Sequence, residues 1–241
     1  MLHGPQREQV DLSSSIPSIC ASEIEWGNID LGLIPVAEIA RQSLAVIPGL
    51  GITCFGAVRS ILLFSRVPWR DVRTLAADSS SRTSVHLARV ILRERYGAEP
   101  QIMSREPVLR DMLSEADAAL LIGDPALRID PEQAGFYWLD LGAEWRELTG
   151  LPMVFATWAA KGGVPVELLS ALTYGSFEFG KARLSEIVEQ EHRSRQVTRD
   201  LADRYLREHI RFEIGAKEQQ GWEAFLELAN LAKPTLVGRT R

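Results

Sequence analysis

Two apolar stretches, residues 57–66 and 152–160, frame an inner run of the chain in which strand and helix signals alternate. This framing constrains the fold more than any other feature. Strands alternating with helices predict α/β layers with mostly parallel sheets. Two long strands around an inner α/β unit are what two crossings between lobes look like. The expected architecture is α/β and two-lobed, with residues 1–65 and 153–241 building one lobe and residues 66–152 the other. The C-terminal helices belong to the first lobe, and a ligand is expected in the cleft between the two.

The local signals fill in that outline. Residues 10–16 read as a short strand, and Pro17 opens a helix to about Glu25, because proline is tolerated in a first helical turn. Asp30 to Pro35 and Ala45 to Pro48 read as strands, with a helical turn from Val36 to Arg41 between them. A short strand at Thr74 to Ala77 precedes a helix from Thr83 to Tyr96, whose apolar positions Val85, Ala88, Val90, Ile91 and Leu92 share one broad face. Gly97 is its natural stop. A helix near Val108–Ala116, a strand at Ala118–Ile122, a strand at Tyr137–Asp140 and a helical turn at Ala143–Thr149 complete the inner unit. Beyond Val166 the pattern is nearly all helical, with charged helices expected at Lys181–Arg195 and Thr198–Phe212.

Composition removes several functional classes. Hydrophobic residues make up 46% and charged residues 24%, enough apolar surface to offset the entropy of ordering the chain. The net charge of -5 argues against a nucleic-acid partner, which calls for a basic face. It leaves room for an anionic small molecule in a locally positive pocket. Cys20 and Cys54 have no metal-ligand spacing, and His3, His86, His192 and His209 are scattered, so neither a disulfide nor a metal site is expected. No stretch approaches the ~20 apolar residues that span a bilayer. The polar N-terminus carries no apolar leader core, which predicts a cytoplasmic protein. There is no phosphate-binding or dinucleotide-binding glycine motif and no nucleophile elbow, so no cofactor is expected.

Three segments could carry chemistry. Ser79–Ser84 follows a strand and opens a helix, so its N–H groups and hydroxyls converge where the helix dipole favours a carboxylate or phosphate. The same residues also fit a plain serine cap worth about 1 kcal/mol. Arg59 and Ser60 begin the first apolar stretch, where a polar pair is costly if buried without partners. Strand alternation points the two side chains oppositely. Ser60 is then the residue expected to meet a ligand, with Arg59 pairing an anion or facing solvent. Gly123-Asp124-Pro125 ends a buried strand, the usual ligand edge of an open α/β sheet. Asp124 could contact a ligand or close an Asx turn.

Taken together, several stretches resemble the chorismate dehydratase family of the futalosine route to menaquinone. They are Gly56-Ala57-Val58-Arg59-Ser60, Ser80-Ser81-Arg82-Thr83-Ser84, the run from Glu115 to Asp124, Asp140-Leu141-Gly142-Ala143-Glu144-Trp145, and the run from Thr149 to Trp158. Order and spacing agree from about Asp30 to Trp158, and the C-terminal helices fit more loosely. The resemblance implies a type II periplasmic-binding-protein-like fold. It also implies a lyase that takes water from chorismate to give 3-[(1-carboxyvinyl)oxy]benzoate without a cofactor. Ser60 is the implied catalytic and hinge serine. Arg59, Ser81, Arg82, Thr83, Ser84 and Asp124 are the expected substrate contacts.

The family pattern begins with a strand ending in an Asn before a Pro-Leu pair. Met1-Leu2-His3-Gly4 resembles the segment just after that pair, and Asn28 does not substitute for the Asn. The resemblance therefore implies a chain that lacks the family's first strand, with apolar sheet edges left unpaired. A non-catalytic module that closes on a small anion is the alternative reading, and turnover separates the two.

Overall fold

The structure, a computed structural model, describes residues 1, 3–42, 44–78, 82–161, 163 and 165–233. The described residues form two sheets joined by one apolar core. In chain order the elements begin with α1 (Pro17–Trp26), β1 (Leu31–Pro35), α2 (Val36–Gln42) and β2 (Ala45–Cys54). The inner unit holds β3 (Ile61–Ser65), β4 (Thr74–Asp78), α3 (Thr83–Tyr96), β5 (Gln101–Arg105), α4 (Leu109–Glu115), β6 (Ala118–Ile122), α5 (Gly123–Leu127), β7 (Tyr137–Asp140) and α6 (Leu141–Thr149). There follow β8 (Met153–Ala160), α7 (Val166–Ala182), α8 (Leu184–Glu191), α9 (Arg199–Arg204), β9 (Arg211–Glu213) and α10 (Ala216–Leu228).

The first sheet runs β1-β8-β2-β9, and every pairing in it is antiparallel. The second runs β5-β4-β6-β3-β7, with β4 parallel to β5 and β6, and β3 antiparallel to β6 and β7. The expectation of mostly parallel sheets therefore fails. Only β4-α3-β5 and β5-α4-β6 are right-sized crossovers, and parallel pairing needs such a connection. The chain leaves the first sheet between β2 and β3 and returns to it between β7 and β8.

β3 shows how the sequence builds the centre. All five of its residues are buried. Ile61 and Leu63 enter the large core with Leu87, Ile91 and Trp145, while Leu62 and Phe64 enter a smaller cluster with Met112, Leu113 and Ala126. A strand covered on both faces reads as a continuous apolar run, and alternate side chains serve opposite layers. The large core continues into the first sheet through Ile34 and Val154 and is joined there by Phe225 of α10.

The chain crosses between the sheets at residues 55–60, and glycine chemistry makes the turn possible. Gly56 has φ 106, and a Cβ on Gly142 would lie 2.5 Å from the Gly56 carbonyl oxygen. The α6 N-terminus can approach the crossing because residue 142 lacks a side chain. In β2, Pro48 donates no backbone hydrogen bond, and the pairing with β8 shifts register between Val46 and Gly51.

Several expected elements are corrected. Residues 10–16 form no strand and are mostly exposed. The strand expected over 57–66 begins only at Ile61, because Gly56 and Arg59 both take positive φ. β5 escaped the sequence reading because its Gln-Ile-Met-Ser-Arg pattern is a half-exposed edge strand without an apolar run. The two expected C-terminal helices are shorter: Arg183 leaves helical geometry and α8 ends at Glu191, while α9 ends at Arg204 and gives way to a π turn over Tyr205–His209. Residues expected to end a helix at Phe212 instead make β9, which pairs with β2. β1 lies at an edge of the first sheet, and Ile16, Ile19 and Trp26 are exposed large apolar side chains on the α1 segment.

Candidate active site

Ser60, Arg59 and Asp124 come together where the crossing segment meets α5, α6 and the C-terminal helices. Ser60 is 4% exposed. Its N–H donates to Val58 O at 2.7 Å, and its carbonyl accepts from Gly123 N at 2.7 Å, so its backbone is tied on both sides. Its hydroxyl oxygen accepts the phenol O–H of Tyr205 at 3.0 Å. Burial pushes the Tyr205 phenol up, which keeps it protonated. Tyr205 is therefore a neutral donor.

Arg59 precedes Ser60 with φ 63, a conformation uncommon outside glycine. Strand alternation does not apply to a residue in that state, so the opposed-side-chain argument fails here. Asp140 holds the strained backbone in place. Its Oδ1 accepts Val58 N at 2.9 Å, and its Oδ2 accepts Arg59 N at 2.6 Å. The same carboxylate caps α6 through Gly142 N and Ala143 N at 2.9 and 3.1 Å. The Arg59 guanidinium reaches the end of α5, donating to the carbonyls of Ala126 at 3.0 Å, Leu127 at 3.4 Å and Ile129 at 2.5 Å. Burial lowers its pKa from the usual arginine value. Its donors are occupied by protein rather than aimed at an open space.

Asp124, in the first turn of α5, pairs with Arg195 at 3.1 Å, and its side chain is 30% exposed. Hydrogen bonding to Asp124 raises the Arg195 pKa. Arg128 Nε donates to Arg195 O at 2.9 Å, so a second contact joins the same two segments. Beside Ser60, His209 Nδ1 lies 3.0 Å from Ala57 O.

At the other helix, Thr83 and Ser84 are buried in the first turn of α3. The Thr83 hydroxyl donates to Phe155 O at 3.0 Å and accepts Ala37 N at 3.3 Å, tying α3 to β8 and α2. Ser84 makes no side-chain hydrogen bond among the described residues. Arg82 turns outward toward Glu38 at 3.7 Å. Ser81, together with Ser79 and Ser80, lies outside the described residues.

The structure thus brings Ser60, Arg59 and Asp124 around the start of α5, with Thr83 and Ser84 at the start of α3. Sequence reasoning missed Asp140, Tyr205 and Arg195. Asp140 had a legible signal, an Asp directly before a helical run. Tyr205 and Arg195 reach the site only through tertiary packing. A depression of about 300 Å³ lined by Arg89, Arg93, Glu99 and Pro100 lies elsewhere, along the C-terminal half of α3. Among the described residues no cluster of histidine, cysteine and carboxylates could hold a metal, and no helix is long and apolar enough to cross a membrane.

Comparison with known proteins places this arrangement. Residues 1–231 match a family model described as menaquinone biosynthesis. A chorismate dehydratase from Thermus thermophilus is 32% identical over 208 residues, covering 79% of this chain and 75% of that protein. A chorismate dehydratase from Campylobacter jejuni is 26% identical over 225 residues, covering 92% and 84%. Among solved structures, a protein from Archaeoglobus fulgidus superposes with a TM-score of 0.68 at 17% identity, covering 92% of this chain and 89% of that one. The alkanesulfonate-binding protein SsuA from Xanthomonas axonopodis pv. citri, bound to MOPS, superposes with a TM-score of 0.61 at 14% identity, covering 92% and 83%. The two-sheet α/β architecture is periplasmic-binding-protein-like. With its model match running through α10, the chain belongs to the menaquinone biosynthesis family.

Proposed function

We propose that this chain is a chorismate dehydratase, a hydro-lyase converting chorismate to 3-[(1-carboxyvinyl)oxy]benzoate and water. The setting is the cytoplasmic futalosine route to menaquinone, and no cofactor takes part. The 32% identity to the Thermus thermophilus enzyme over 79% of this chain is the observation that carries the reading.

The lobes of this reading divide at the crossing over residues 55–60 and again just before β8. β3 goes with the inner lobe, because it pairs with β6 and β7. The substrate lies between the lobes, against Ser60 and the N-terminus of α3. One substrate carboxylate meets the first turn of α3, where helix N–H groups favour an anion. Thr83 and Ser84 contribute there, with Arg82 on the approach. The Thr83 hydroxyl is committed to Phe155 O and Ala37 N, so its backbone N–H is the part that serves the ligand. Ser60 offers a hydroxyl from the crossing. Arg59 fixes the end of α5, and Asp124 borders the site through its pair with Arg195.

The reaction breaks the C–H bond at the ring carbon bearing the ether and the C–O bond to the neighbouring hydroxyl. The C–H electron pair becomes the last ring double bond, and proton and hydroxide depart as water. Gain of the aromatic ring drives the elimination. The substrate's own side-chain carboxylate takes the proton, and the protein contributes conformation and exclusion of alternatives. Proton NMR of chorismate incubated with the protein tests the reading. New aromatic ring signals at the expense of the cyclohexadiene signals are expected, and an unchanged chorismate spectrum contradicts it.

A further inference from the structure

The C-terminal segment is joined to the α5 region, to the crossing and to the first sheet. Arg195 binds Asp124 and Arg128 of the α5 region, Tyr205 and His209 meet Ser60 and Ala57 of the crossing, and β9 pairs with β2 of the first sheet. At the middle of this strap the helix changes character. α9 ends at Arg204, and Tyr205–His209 form a π turn closed by Ile210 N to Tyr205 O at 3.1 Å. Such turns are rare, are wider than an α turn, and concentrate at functional sites. Here the turn starts at the residue that bonds Ser60.

The direction of that bond matters. The phenol donates and the Ser60 oxygen accepts. A serine hydroxyl has one proton and two acceptor lone pairs. Among the described residues Ser60 Oγ has no acceptor for its own proton. Tyr205 fills one of those lone pairs, so the Ser60 proton points away from the phenol and toward any acceptor, such as a carboxylate, that approaches from another side.

We propose that Tyr205 is a positioning residue for Ser60: by occupying the serine oxygen as a donor, it turns the Ser60 hydroxyl proton toward a substrate carboxylate. This rests on the dehydratase reading for the identity of the ligand. It adds a residue from the loosely matched C-terminal helices to the site. It also makes the docking of the strap on α5 a condition for a correctly oriented Ser60.

A double-mutant cycle tests the proposal, using Tyr205→Phe, Ser60→Ala and the combined variant. Each is read both as kcat/KM for chorismate and as calorimetric affinity for 3-[(1-carboxyvinyl)oxy]benzoate. Tyr205→Phe is expected to lower both quantities about tenfold in the parent chain, the size of one neutral hydrogen bond. On the Ser60→Ala background the same change should have no further effect, since its target is gone. A structural role alone would repeat the loss in full on that background, and this result, or no loss in the parent, overturns the proposal. Product binding that shows the coupling while chorismate is not turned over would support Tyr205 and contradict the dehydratase reading.

Discussion

Asp140 accepts the backbone N–H of Arg59 at 2.6 Å while that residue sits at φ 63, so one carboxylate holds the chain in a conformation that a side chain disfavours. Its other oxygen serves Val58, Gly142 and Ala143. Asp140 is 6% exposed, so removing it strands several buried donors at once. Asp140→Ala should cost about 3 kcal/mol or more, at the upper end for hydrogen bonds to a charged group. Urea unfolding measures it, and a loss under about 1 kcal/mol would show that the crossing does not depend on this carboxylate.

Thr83 connects three elements through one hydroxyl. Thr83→Val keeps the volume and withdraws both hydrogen bonds. It should destabilise the chain by about 1–3 kcal/mol, because the groups left behind are buried. An unfolding midpoint equal to the parent would contradict the link between α3 and the first sheet.

Asp124→Asn separates two roles for that side chain. Removal of a true general base costs about 10²–10⁴-fold in rate. If the substrate carboxylate is the base, Asp124→Asn should keep kcat within about tenfold of the parent. Loss of turnover with affinity for the ligand retained would make Asp124 the proton acceptor. The stability change should be small, because the Arg195 pair is partly exposed and such pairs contribute about 0–1 kcal/mol.

His86 gives a pH signature. Burial, then the neighbouring Arg89, holds its pKa below the ordinary 6.5, with Glu38 opposing. As pH falls through 6.5, the unfolded chain takes up this proton before the folded one does, so stability declines. The decline stops once the folded imidazole is also protonated. Urea midpoints should fall across that window in the parent and fall less in His86→Gln. Equal slopes in the two proteins would contradict the assignment.

Much of the fold was legible where a segment carried its own signal. β8, α3 with its Gly97 cap, and the buried β6 all follow from apolar runs and stop residues. The edge strand β5 and the short β9 were not, because half-exposed strands take their identity from a neighbour rather than from their own pattern. In the candidate site, Ser60 and Asp124 stood out as polar residues at the ends of apolar strands. Tyr205 had no such signal: 145 residues separate it from Ser60, and only the packed C-terminal strap brings them together. Arg59 was legible as a polar intrusion but not in its role, since a positive φ sends its side chain where strand alternation would not.

The most direct test of the central claim is incubation of this chain with chorismate, followed by mass-resolved chromatography. The account predicts consumption of chorismate and a product lighter by one water that co-elutes with 3-[(1-carboxyvinyl)oxy]benzoate. Chorismate recovered intact from a protein that binds it would contradict the account and make the chain a binding module.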